Sequence, residues 1–236
     1  MLLRKHLEGS VIERIEQPEL ERIITFDLRN RDELGDLSHK QLIVEIMGRH
    51  SNIILIDRQT NKIIDSIKHV SYAQSSYRAV LPGQPYKRPP AQDKLNPLHA
   101  TAEDVVRQID FNAGQIDRQL VDRFTGLSPL VAQEIIARAG MINRQSLPAA
   151  FREVLDPVKA NEYEPEQRTA GAKEYFSVVP LTQVDDEPKT FTTVSQLLDR
   201  FFYGKAERDR VKQQAYDLER FLRNESQKKQ KEDQKA

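Results

Sequence analysis

Gln41-Leu42-Ile43-Val44-Glu45-Ile46-Met47 and Ile53-Ile54-Leu55-Ile56-Asp57 are two short apolar runs, parted only by the polar corner Gly48-Arg49-His50-Ser51-Asn52. Runs this short and this rich in β-branched residues read as strands. A corner of that length holds no helical crossover, so the two strands pair antiparallel. Within 41–47 the alternation of apolar and polar residues is weak, which predicts a strand covered on both faces. Working outward, similar runs lie at 11–16, 22–28 and 62–67, joined by the turn at Pro18, the polar stretch 30–38 and the stretch 58–61. All are hairpin lengths, so residues 1–100 are expected to form an antiparallel sheet region. At the very start, Leu2, Leu3, His6 and Leu7 share one helical face and Gly9 stands as its stop. The chain thus reads as beginning inside a helix.

Beyond the strands the chain changes character. Pro82, Pro85, Pro89 and Pro90 fall close together. Proline fixes φ and removes a donor, so this stretch is an extended connector or an ordered wrap. Residues 101–155 read as helical. Thr101 is placed as a cap, Ile116, Leu120, Val121 and Phe124 share one apolar face, and Gly126-Leu127-Ser128-Pro129 breaks one helix and starts the next. Residues 156–205 contain a strand at 175–181, expected to pair back onto the first sheet, and then a helix. From Val211 the apolar spacing (Val211, Ala215, Leu218, Leu222) averages 3.5 residues, which marks 206–236 as the start of a coiled coil. The fold class is therefore α+β.

Composition bounds the function. The 236 residues carry 36 Lys+Arg against 36 Asp+Glu, so a strongly basic nucleic-acid binder is not favoured on total charge, although a local patch can hide in a balanced sum. The absence of Cys removes disulfides, thiolate nucleophiles and thiolate metal ligands. No apolar run approaches the ~18 residues of a membrane span. The five histidines (His6, His39, His50, His69, His99) form no HxxxH or HExxH pair, and no GxSxG, GxGxxG or P-loop motif occurs. A hydrolase, nucleotide-binding or helical metal-ligand reading therefore has no motif support, and no cofactor or metal is expected.

Four features carry binding chemistry. The corner at Arg49, His50, Ser51 and Asn52 gathers donors suited to phosphate and sugar, or simply caps free backbone at a hairpin. Glu21-Arg22 can address a base edge and a phosphate together, provided the strand end bends so that both face one ligand, or is an ordinary surface pair. Gly126, Leu127, Ala132 and Ile135 match a helix–hairpin–helix motif in which Ser128 replaces the second Gly. Its backbone amides either grip a phosphate or only pack. Tyr72, Tyr77 and Tyr86 can stack bases or hold the Pro-rich loop down. The lysines at 228, 229, 231 and 235 read as a solvated helix end.

The strings Met1-Leu2-Leu3-Arg4-Lys5-His6-Leu7-Glu8-Gly9, Glu45-Ile46-Met47-Gly48-Arg49-His50-Ser51-Asn52 and Leu81-Pro82-Gly83-Gln84 resemble the NFACT family, in its bacterial branch whose members are also called fibronectin- or fibrinogen-binding proteins. The resemblance implies an incomplete version of a formamidopyrimidine-DNA-glycosylase-like N-terminal domain, a helix–hairpin–helix region and a coiled-coil root. It implies a cytoplasmic, non-enzymatic factor of ribosome-associated quality control. Its partners would be alanine tRNA, the large ribosomal subunit and a nascent chain still attached to tRNA, with fibronectin or fibrinogen as the alternative. The family's Asp-Arg pair falls on Glu21 and Arg22, and Arg49, His50 and Asn52 are implied as further tRNA contacts. The helix–hairpin–helix at Gly126 and Ser128 stays open between packing and an RNA-backbone contact.

Overall fold

The computed structural model describes residues 2–171 and 173–233, with side chains to 228. The chain forms two compact units. Unit 1 comprises Met1–Thr101 and Arg118–Ser128, and unit 2 comprises Ala102–Asp117 and Pro129–Ala236.

Unit 1 opens with a short helix, α1 (Leu2–Leu7), and continues as five strands: β1 (Val11–Glu16), β2 (Ile23–Arg31), β3 (Leu37–Glu45), β4 (Asn52–Asp57) and β5 (Lys62–Ser66). They pair antiparallel in chain order, as the hairpin-length connections require. The expected loop at 30–38 shrinks to residues 32–36, because the β2–β3 ladder runs on to Arg31 opposite Leu37. Only a tight turn remains, where Asp32 Oδ1 accepts the N–H groups of Leu34 and Asp36, each at 2.9 Å. These side-chain bonds add to the backbone bonds of the turn, where Asp32 N–H donates to the Asp36 carbonyl (2.9 Å) and Gly35 N–H to the Asp32 carbonyl (3.0 Å).

Ile23, Ile43, Ile54, Ile56, Ile63 and Val80 form the core, with Met47, Val70 and Tyr86 packed against it. In β3 only alternate residues, Ile43 and Glu45, are fully buried among 42–45, so the strand has one core face and one half-covered face. The Pro-rich stretch is an ordered wrap along the outer edge of β5. Ile63 donates to the Gln84 carbonyl (2.8 Å), Gly83 donates to the Ile63 carbonyl (2.7 Å), and Tyr86 donates to the Asn61 carbonyl (2.9 Å). The donors it supplies come from Gly83 and Tyr86, since its prolines have none. The opposite edge, β1, keeps Val11, Ile12 and Ile15 more than half exposed.

Unit 2 contains α2 (Ala102–Gln108), α4 (Pro129–Ala139) and α5 (Ser146–Lys159), while α3 (Ile116–Arg123) lies across the boundary of the two units in the chain. Pro129 takes the first helical position of α4, and Gly140, at φ 62°, ends it. The segment 156–205 does not return to the first sheet. Its strands, β6 (Glu166–Ala170), β7 (Lys173–Ser177) and β8 (Lys189–Thr190), form a separate sheet in the order β7-β6-β8. The nearest partner for 173–177 is the strand just before it, and this local hairpin closes a shorter loop than a return to β1 would.

The last helix, α6 (Val194–Asp233), is unbroken. Leu197 and Phe201 anchor it, with the Phe201 ring 4.7 Å from that of Phe176. Farther along, Val211, Leu218 and Leu222 are more than half exposed, and no second helix covers them among the described residues. Lys228 pairs with Glu225 at 2.8 Å, while Lys235 and the side chains of Lys229 and Lys231 lie outside the described residues. No described helix is long and apolar enough to cross a membrane.

A buried carboxylate ties unit 2 together. Glu134 is fully buried on α4 and accepts from Arg138 Nε (2.8 Å), Thr182 Oγ1 (2.7 Å) and the Thr182 amide. Burial pushes its pKa up, but the Arg138 hydrogen bond and the Thr182 donors outweigh burial and hold it below its ordinary value of 4.5. A depressed carboxyl adds stability that is complete above the unfolded-state pKa and is lost as pH falls through the folded-state value. Glu134→Gln is therefore expected to lower stability at pH 7 and to flatten the loss of stability on acidification below about pH 5. Urea titrations of both proteins across that range check it; parallel curves for wild type and variant would contradict it.

Candidate nucleic-acid interface

The chain meets a sharp turn before β2. Glu19 adopts φ 50° and Glu21 N–H donates to the Pro18 carbonyl at 3.0 Å. Glu21 and Arg22 stand at this bend, outside the regular strand. Adjacent strand residues would point to opposite faces, and the bend removes that obstacle: both line one cleft of about 780 Å³ in unit 1. Arg22 is exposed, and its guanidinium has no hydrogen-bond or ion-pair partner among the described residues.

The same cleft is lined by Gly126 and Ser128. Gly126 sits at φ 76°, and a Cβ there would stand 3.0 Å from Leu20 Cβ. The loop after α3 is thus laid directly against the turn that carries Glu21 and Arg22. Leu95 and Thr125 fasten it: Leu95 N–H donates to the Arg123 carbonyl (3.0 Å) and Thr125 N–H donates to the Leu95 carbonyl (2.9 Å). Two features far apart in sequence meet at one cleft. Arg88 and Lys94, not among the expected site residues, also line it.

The corner after β3 builds a second cleft, of about 760 Å³. Gly48, at φ 57°, opens a single tight helical turn (Gly48–His50), and Ser51 Oγ accepts the Met47 N–H at 2.8 Å. Arg49 and His50 are exposed on this turn, where Arg49 Nε donates to His50 Nε2 at 3.0 Å. Lys68 Nζ donates to the Arg49 carbonyl at 3.1 Å. Asn52 lines the cleft but is buried. Its Nδ2 donates to the Lys68 carbonyl, and its Oδ1 accepts from Lys68 N–H. Its amide is therefore occupied in fixing the corner, and what it offers a ligand is position.

Glu45, the first residue of the polar string, does not face a ligand. It is 1% exposed and accepts from both terminal nitrogens of Arg78 and from Tyr86 Oη at 2.8 Å. Burial opposes the charge of Arg78, but the hydrogen bonds and charge of Glu45 outweigh it and raise the arginine pKa. Burial and the adjacent carboxylate also push the Tyr86 hydroxyl well above its ordinary value. Tyr86 is thus a core residue that holds the wrap. Tyr72 and Tyr77 stay 64% and 41% exposed, so the wrap does not cover them.

Met47, Pro89 and Pro90 line both clefts, so the two are neighbours across one wall within unit 1. The first presents Arg22, Arg88 and Lys94 against Glu21, and the second presents Arg49 and Lys68, the charge of Arg78 being met by Glu45. A chain of zero net charge thus concentrates cations on one surface. Among the described residues no group of His, Asp and Glu is arranged to hold a metal.

The family model for "NFACT N-terminal and middle domains" matches residues 1–236. Rqc2 homolog RqcH of Bacillus subtilis is 53% identical over 97% of this chain and 40% of its own length. Rqc2 homolog RqcH of Streptococcus pneumoniae is 39% identical over 97% of this chain and 39% of its own. The chain thus spans about 40% of the length of the curated relatives it matches. Among solved structures, the fibrinogen-binding protein from Staphylococcus aureus superposes with a TM-score of 0.75 at 41% identity, covering 85% of this chain and 73% of that one. The N-terminal part of the fibronectin/fibrinogen-binding protein from Streptococcus suis gives 0.69 at 34% identity, covering 86% and 72%.

Two substitutions test how the clefts are held. Glu45→Ala leaves Arg78 buried without its counter-charge and is expected to cost about 3–5 kcal/mol in urea unfolding. A loss below about 1 kcal/mol, the range of an exposed pair, would contradict this account. Gly126→Ala adds a strained φ to a close approach on Leu20 and is expected to cost more than the ~1 kcal/mol typical of glycine effects. An unchanged midpoint would show the loop free to move away.

Proposed function

The chain belongs to the family of NFACT N-terminal and middle domains, and on that footing we propose that unit 1 holds tRNA within a factor of ribosome-associated quality control. In the intact protein this part engages a large ribosomal subunit that carries a stalled nascent chain, and it positions alanyl-tRNA for addition of C-terminal alanine. Its contribution is binding and orientation. The chemistry of peptide-bond formation stays with the ribosome.

The observation that carries this reading is the meeting of Glu21, Arg22, Gly126 and Ser128 at one cleft, with Arg49 and His50 at its neighbour. An unpartnered guanidinium at a bend is available for a phosphate or for the O6 and N7 edge of a guanine. Glu21, beside it, accepts from an exocyclic base amine. Arg49 adds a second phosphate contact, His50 supports it, and Asn52 keeps their turn in place. The local excess of cations supplies the counterion-release attraction that a neutral total charge does not suggest. On this reading the sheet of unit 1 is a partial relative of the glycosylase N-terminal domain, used to hold RNA. The α3–α4 connection is its helix–hairpin–helix, α6 is the root of a coiled coil, and the setting is the cytoplasm.

A second reading has one observation in its favour: solved neighbours from Staphylococcus aureus and Streptococcus suis are described as fibrinogen- or fibronectin-binding. One experiment separates the two. Binding of alanine tRNA is measured against bulk tRNA across a salt series, for wild type and Arg22→Ala, with immobilised fibronectin in parallel. tRNA recruitment predicts selective binding that falls about fivefold or more in the variant, as expected for loss of a charged contact worth ~1–3 kcal/mol. Equal, weak, salt-erased binding by both proteins, together with saturable fibronectin binding, would reverse the choice.

A further inference from the structure

Glu21 and Arg22 share one peptide plane, and the orientation of that plane decides whether their two side chains face one ligand. Its carbonyl, that of Glu21, accepts from Gln17 Nε2 at 2.8 Å. The next carbonyl, that of Arg22, accepts from the Ile46 N–H at 2.8 Å. The first bond restricts φ of Arg22 and the second restricts its ψ. The backbone of Arg22 is thus held from both sides, while its guanidinium has no partner among the described residues. Ile46 contributes a backbone donor, which any residue but proline supplies equally. Gln17 contributes a side chain, so its hold on the plane depends on residue type. The backbone that delivers this side chain is itself restrained. Gln17 follows the last residue of β1 and precedes Pro18, which confines it to extended conformations.

We propose that Gln17 is a positioning residue of the first cleft: its amide fixes the peptide plane between Glu21 and Arg22 and so aims both side chains at one ligand. The proposal rests on the tRNA reading of unit 1 and deepens it, because it names a residue that acts through the two contact residues. Gln17 lines the cleft beside them. Its residue type fits the task. A carboxylate has no proton to give a carbonyl. A lysine or arginine has one, but sets a further cation next to Arg22. A neutral amide holds the plane without competing for the phosphate. The bond is exposed, and the turn is also closed by the Glu21 N–H on the Pro18 carbonyl at 3.0 Å, so the fold does not depend on Gln17. No motif includes Gln17, and the sequence alone does not mark it.

The test uses the full chain and has two arms. In the free protein, the heteronuclear NOE of the Arg22 amide, which reports ps–ns backbone motion, is expected to fall in Gln17→Ala. With fluorescein-labelled alanine tRNA read by anisotropy, Gln17→Ala and Gln17→Glu are expected to weaken binding roughly three- to tenfold, the scale of one hydrogen bond, at an unchanged urea midpoint. The decisive readout is a double-mutant cycle. Gln17→Ala is expected to cost less than about twofold once Arg22 is alanine, and its full factor once Arg49, in the other cleft, is alanine. Equal losses in the wild-type and Arg22→Ala backgrounds would overturn the proposal, since Gln17 would then act without Arg22. An unchanged NOE would overturn it as well. Binding that depends on Arg22 but not on Gln17 would overturn the positioning role and leave the tRNA reading standing. A lowered NOE in a protein that binds no tRNA would support the hold of Gln17 on Arg22 and overturn the tRNA reading alone.

Discussion

The carboxylate of Glu45 is the point on which unit 1 turns. It sits at the end of β3, buried, and gathers the Arg78 guanidinium and the Tyr86 hydroxyl from a stretch that proline has stripped of backbone donors. Such a stretch cannot be held by a continuous ladder. Side chains must hold it, and Arg78 does so in two directions, since its Nη1 also donates to the Lys87 carbonyl at 2.7 Å. A buried ion pair is a poor source of net stability, because desolvation offsets most of its attraction. Its value here is selectivity: only one placement of residues 78–87 satisfies the carboxylate, both guanidinium nitrogens and the phenol together. That placement also covers the outer edge of β5, which would otherwise present unpaired backbone.

Unit 2 repeats the device with different residues. Glu134 collects Arg138 and the Thr182 donors, and Glu166 accepts from Arg168 Nε (2.8 Å) and the Leu181 N–H (2.9 Å). In each case one carboxylate fastens a segment that lacks regular pairing, 181–186 in particular. A chain that is 38% hydrophobic and 31% charged has modest apolar surface to spend on loops. Buried acid–arginine stitches compensate, and they fix geometry where packing alone would permit several arrangements.

These stitches explain what the sequence could and could not disclose. The strands of unit 1 are legible because period, length and hairpin spacing are local properties, and the antiparallel order follows from them. The stretch 30–38 misleads because its polar residues look like loop, while Asp32 closes a turn tight enough for the ladder to continue. The strand near 175 is legible, but its partner is not, since apolar alternation names a face and no neighbour. The site shows the same division. Glu21, Arg22, Arg49 and His50 can be picked out by residue type, and Gly126 by its place between two helical patterns. That the first pair and Gly126 share a cleft depends on Leu20 meeting Gly126, a contact no local pattern encodes. The inward turn of Glu45 and Asn52 is hidden for the same reason: an acid or an amide in a polar string looks alike whether it faces solvent or a buried partner.

The wall between the two clefts links fold to function. Met47 follows the β3 strand held by Glu45, and Pro89 and Pro90 follow the wrap held by Arg78 and Tyr86, so the same carboxylate anchors the chain on both sides of the wall. Proline restricts φ before any ligand arrives, and a surface already ordered loses less conformational entropy on binding. The cations themselves are of another kind. Arg22 and the terminal nitrogens of Arg49 have no partner among the described residues and stand at bends and turns, where the backbone is fixed. On the proposed tRNA reading, a rigid wall with a guanidinium group on either side meets a phosphate backbone economically: the scaffold would set the spacing of the contacts, and the long side chains would absorb the local irregularity of the RNA.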